Sequence, residues 1–166
     1  MKNKYSFSIY NILIYIAELY PLGRSKFAPG TVASFFTILL GYFLLLNLSL
    51  NELIIFIIFI NIIAFLSIKF YLNKRNVSDP KEIVIDELSG QLISLLTLPI
   101  LNIQINFTSL LLAFLTFRFF DITKIGLKKI EKISGPWGVL LDDVFAGIYS
   151  FIIQYLFWKY FYNELG

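Results

Sequence analysis

A chain of 166 residues that is 58% hydrophobic, 18% aromatic and only 15% charged, with a mean hydropathy of +0.76, is too apolar to hide its surface in one soluble core. It contains no Cys and no His, which excludes disulfides, thiolate or imidazole metal sites, cysteine nucleophiles and phosphohistidine chemistry. Its net charge of +3 argues for no nucleic-acid partner, so the basic residues are read through membrane topology.

At about 20 apolar residues per bilayer crossing, the length accommodates about five spans with short loops. Residues 1–166 are therefore expected to form a single integral-membrane domain, an all-α polytopic helical bundle. Lys2 and Lys4 precede an apolar stretch, Ile9 to Tyr20, that carries Glu18. It is too short to span and predicts an interfacial or re-entrant helix. Tyr20-Pro21-Leu22-Gly23 is a poor small-residue cleavage site, so the segment is expected to stay in the mature chain.

Gly23-Arg24-Ser25-Lys26-Phe27-Ala28-Pro29-Gly30-Thr31 follows. Its Pro-Gly turn feeds a helix start whose backbone N–H groups, with Thr31 and Ser34, are placed to face an anion. The same turn is also an ordinary way to begin a helix. Thr31 to Leu50, free of charge, and Leu53 to Leu72, with only Lys69, are the clearest spans. Between Glu87 and Arg118 no charge occurs. Pro99 and the polar run Asn102 to Asn106 divide that stretch into two antiparallel spans, about 83–101 and 107–124. The last span is expected over Val139 to Phe161.

With residues 1–30 inside, every Lys and Arg except Lys159 falls on the inner side or at the inner end of a span, as retention of cationic loops requires. Under that topology Asp86 and Glu87 open the third span, Asp121 closes the fourth, and Asp142 and Asp143 open the fifth, so all five carboxylates lie at one depth. Acids at such positions cost a few kcal/mol each and so pair, line a wet cavity or bind a cation. Arg118, Asp121 and Lys124 follow at i, i+3 spacing along one helical face. Gly90 and Gly147, each four residues after an acid, let helices approach beside them. Hard oxygen ligands suit Mg²⁺, and Arg or Lys suits phosphate oxygens. Taken singly, the acids also favour helix N-termini and the boundary cations snorkel; their convergence is what points to a site.

These elements resemble the phosphatidylglycerophosphatase A family of bacterial membrane lipid phosphatases. The resemblance runs through Pro29-Gly30-Thr31-Val32-Ala33-Ser34, Asp79-Pro80 with Ile83-Val84-Ile85-Asp86-Glu87-Leu88-Ser89-Gly90, Phe117-Arg118-Phe119-Phe120-Asp121 with Lys124, and Gly138-Val139-Leu140-Leu141-Asp142-Asp143 with Ala146-Gly147. It implies Mg²⁺-dependent hydrolysis of phosphatidylglycerol phosphate to phosphatidylglycerol and inorganic phosphate, in the bacterial inner membrane with the site facing the cytoplasm. It points to Asp86, Glu87, Asp121, Asp142 and Asp143 as the acidic, metal-holding set, with Arg118 and Lys124 beside them. Arg24, Lys26, Thr31 and Ser34 are candidate substrate-binding residues. Attack on phosphorus falls either to water activated at the metal or to one of the aspartates.

The chain departs from the family pattern in its inner loop. Ile125-Gly126-Leu127-Lys128-Lys129 stands where a Pro- and Trp-containing stretch is common, and Pro136 replaces the second of two glycines. Both changes bear on lid shape and headgroup fit. The rival reading is a small ion or proton transporter using the clustered carboxylates, but a transport path needs polar groups near the midplane or on both faces, and the outer halves offer only Asn, Ser, Thr and Gln.

Overall fold

The computed structural model describes residues 9–77, 80–130 and 132–162; Lys2, Lys4 and Asp79 lie outside the described residues. Among those described there are helices and no strands. In chain order the helices are α1 (Ile9–Ala17), α2 (Pro29–Asn47), α3 (Leu50–Arg75), α4 (Ile85–Leu95), α5 (Thr97–Ile100), α6 (Phe107–Thr123) and α7 (Pro136–Phe157).

Local sequence sets their ends. Pro29 and Pro136 occupy first-turn positions of α2 and α7, where a missing N–H costs nothing. Ser49 with Glu52, and Asn106 with Ser109, close capping boxes at the starts of α3 and α6. Lys74 and Arg75 lie in the last turn of α3, where cations oppose the helix dipole favourably, and Asn76 ends it in the left-handed region at φ 52°.

The bundle is polar inside and apolar outside. Ser34, Thr37, Ser67, Ser89, Gln91, Ser94, Ser150 and Gln154 are fully buried, whereas Phe43, Ile55, Ile58 and Phe59 lie exposed along α2 and α3. That inversion is what a hydrocarbon solvent imposes, since buried polar groups must then satisfy one another. Several of them meet in a seam between α4, α6 and α7. The Ser94 and Ser150 hydroxyls lie 2.8 Å apart, Thr116 and Ser150 2.6 Å, and Gln154 Nε2 donates to Ser94 Oγ at 2.8 Å.

Three helices are long and apolar enough to cross a membrane: Pro29–Asn47, Leu50–Arg75 and Pro136–Tyr160. The expectation of about five spans is not reached by this measure. The stretch expected as one span over 83–101 is interrupted at Leu96, whose N–H turns to Ile93 O at 3.1 Å, leaving α4 with 11 residues and α5 with 4. The reason lies in its composition: Ser89, Gly90, Gln91 and Ser94 make α4 a helix to be surrounded by protein rather than by lipid. It touches α2, α3, α6 and α7.

Close approach fixes α4 against α7. A Cβ on Gly147 would lie 2.3 Å from Gly90 O, and one on Gly90 would lie 2.4 Å from Asp143 O. Only glycine permits these backbones to meet, and their meeting sets Asp143 beside the start of α4. The short helix α1 packs on α3, burying Ile14 and Ala17, and Val84 N donates to Ala17 O at 3.0 Å just before α4 begins.

Candidate active site

The acid-bearing helix ends converge. Asp86 and Glu87 from the first turn of α4, Asp121 from the last turn of α6, and Asp142 and Asp143 from the second turn of α7 all line one cavity of about 610 Å³, together with Arg118 and Lys124. Asp86, Asp121 and Asp143 are buried, at 7%, 8% and 4% exposure.

Two cations hold this acidic set. Arg118 lies between carboxylates of two helices, with Nη1 3.3 Å from Glu87 Oε1 and 2.5 Å from Asp121 Oδ2. Its guanidinium also donates to Ser34 Oγ at 3.4 Å and Thr31 Oγ1 at 3.2 Å on α2. Lys124 follows α6 in the left-handed conformation, φ 53°, which turns its ammonium back over the cavity. There it meets Asp121 Oδ1 at 3.0 Å, a carboxylate oxygen of Asp142, and Asp143 Oδ1 at 3.9 Å. Carboxyl groups from α6 and α7 surround this ammonium. Asp121 thus links both cations.

Thr31 and Ser34 accordingly reach the site as supports of Arg118. Gly30 lies directly against the Glu87 carboxylate: a Cβ there would fall 1.7 Å from Oε1, so the Glu87 side chain would have to move. Arg24 and Lys26 are elsewhere. The Arg24 Nε is 2.7 Å from the Glu18 carboxylate, and neither Arg24 nor Lys26 is among the cavity walls.

The structure adds residues that spacing did not single out. Lys81 and Lys132 line the cavity from the loops before α4 and α7, with Ser134 and Gly135. Gly135, at φ +80°, turns the chain into Pro136, and Gly138 lies so close under the loop that a Cβ would meet Ile133 O at 1.7 Å. In sequence Lys81 and Lys132 are marked only as basic residues of loops.

A phosphatidylglycerophosphatase A family model matches residues 15–158, which takes in every cavity residue named above. The chain belongs to the phosphatidylglycerophosphatase A family. It is 34% identical over 155 residues to the phosphatidylglycerophosphatase A of Haemophilus influenzae, covering 89% of this chain and 90% of that one. It is also 38% identical over 139 residues, 79% of this chain and 84% of the other, to a Bacteroides thetaiotaomicron protein whose provisional name is phosphatidylinositol-3-phosphatase. No solved structure matches significantly.

The donor set can be tested against the divalent cation expected for the family. All candidate ligands are hard carboxylate oxygens, and Glu87 Oε2 is buried without a hydrogen-bond partner, which leaves an acceptor aimed at nothing in the protein. Among the described residues no three acids stand close enough to cage an ion by themselves. Mg²⁺ does not need such a cage, since it is commonly bound through one or two carboxylates, waters and substrate phosphate. The residues therefore fit Mg²⁺ of that kind.

Proposed function

We propose that this protein is a Mg²⁺-dependent lipid phosphomonoesterase that hydrolyses phosphatidylglycerol phosphate to phosphatidylglycerol and inorganic phosphate. The observation that carries the reading is the gathering of five carboxylates and two cations from three helices around one cavity, within a chain of this family. The diacyl chains stay in the leaflet and only the headgroup enters.

Asp86, Glu87, Asp121, Asp142 and Asp143 supply the ligands from which Mg²⁺ is held, and when bound it neutralises phosphoryl oxygens and makes water more acidic. Arg118, steadied by Thr31 and Ser34, and Lys124 face the charge that spreads over those oxygens as the bond to glycerol lengthens. Water attacks phosphorus and gives up a proton to a cavity carboxylate. The phosphorus–oxygen bond to glycerol breaks, and the proton taken up by the carboxylate passes to the glycerol oxygen as it leaves. Lys81 and Lys132 are not committed to any carboxylate among the described residues, and they receive the second phosphate of the substrate, the diester that joins the headgroup to the lipid.

In this reading α4 with α5, and α6, complete five crossings of the bacterial inner membrane, and the cavity opens to the cytoplasm on the side rich in Lys and Arg. The substrate assignment is tested by comparing phosphate release from phosphatidylglycerol phosphate and from phosphatidylinositol 3-phosphate in the same detergent. The first is expected to turn over at least about tenfold faster, the scale of one or two misplaced polar contacts. Faster release from the inositol lipid would transfer the assignment to that substrate.

A further inference from the structure

A second cavity, of about 390 Å³, opens between α1 and the end of α3, and its charge is opposite to that of the catalytic one. Arg24, Lys74 and Arg75 line it, with Asn11 and Tyr15. No carboxylate is among its described walls.

The pocket is built rather than merely basic. Glu18, 1% exposed, holds the Arg24 Nε at 2.7 Å from its carboxylate. The guanidinium lies 5.0 Å from the Tyr20 ring centre and 5.8 Å from that of Tyr15. The turn carrying it is closely packed: Gly23 N donates to Glu18 O at 2.8 Å, and a Cβ on Gly23 would meet Glu82 O at 2.1 Å. On the facing wall Lys74 Nζ donates to Asn11 Oδ1 at 3.2 Å, and the Arg75 guanidinium stands 5.9 Å from the Tyr71 ring centre. Three cations thus face one space, and among the described residues the salt bridge made by any of them is that of Arg24 with Glu18.

Its position says what would fill it. α1 exposes Ile12 and Tyr15, and the turn after it exposes Tyr20, a short apolar and aromatic surface of the kind that lies at a bilayer interface. Basic pockets beside spanning helices at that level take anionic headgroups. We propose that this pocket binds the phosphate of an anionic phospholipid headgroup, at a site separate from the catalytic cavity. The ligand chemistry is a phosphate oxyanion, and the bilayer is its source.

The test uses the full chain, purified in detergent, mixed with phosphatidylglycerol or with phosphatidylcholine, and weighed by native mass spectrometry. Neither Lys74 nor Arg75 lines the catalytic cavity, so the double variant K74Q/R75Q should keep wild-type phosphate release, which serves as the folding control. It should retain about one phosphatidylglycerol fewer than wild type, with phosphatidylcholine retained equally by both. The single variants K74Q and R75Q replace it if it fails that control. Excess inorganic phosphate should leave the lipid bound. Equal phosphatidylglycerol retention by wild type and variant would overturn the proposal, and displacement by inorganic phosphate would assign the pocket to the free anion instead.

Discussion

Replacing Asp143 by Asn is expected to lower phosphate release from phosphatidylglycerol phosphate about a thousandfold while leaving the protein folded and membrane-inserted. The side chain keeps its size, so the Gly90–Gly147 crossing beside it is undisturbed. Lys124 keeps Asp121 and Asp142 as partners, so no buried cation is stranded. What disappears is a carboxyl group, 4% exposed, in the cavity wall, where an amide can neither take a proton from water nor hold a divalent cation with comparable strength. Phosphate release within about threefold of wild type, measured on protein that elutes and melts as wild type does, would remove Asp143 from the reacting centre.

Arg118→Lys is expected to cost about a hundredfold in kcat although the charge is retained. The guanidinium reaches Thr31, Ser34, Glu87 and Asp121 at once. An ammonium on a flexible stem has three donors and no plane, so it cannot keep α2, α4 and α6 in register around a phosphoryl group. Because the arginine acts on charge that develops in the transition state, KM should move less than kcat. A variant that loses affinity with kcat intact would instead make Arg118 a ground-state binding residue.

Much of this site is legible in the sequence because its physics is local. Arg118, Asp121 and Lys124 share a helical face by spacing alone, and acids at the ends of charge-free runs must face water, a cation or one another. Thr31 and Ser34, one turn apart, read from spacing as facing an anion; in the structure their hydroxyls accept from Arg118.

What spacing does not carry is long-range folding back. Arg24 looks like part of the anion-facing turn, yet a reversal of the chain after α1 gives it to Glu18, six residues earlier. Lys81 and Lys132 enter the cavity from irregular loops, where no period marks which side chains point inward. The break at Leu96 is equally silent, since a charge-free run fits a lipid crossing and a protein-enclosed helix alike. Only the Ser, Gly and Gln content of α4 separates the two.

The most direct measurement is inorganic phosphate released from phosphatidylglycerol phosphate by the purified wild-type chain, with Mg²⁺, after EDTA, and after Mg²⁺ is restored. The acidic cavity predicts release with the cation, none in EDTA and recovery on its return. Full release in EDTA, or none in the presence of Mg²⁺, would contradict it.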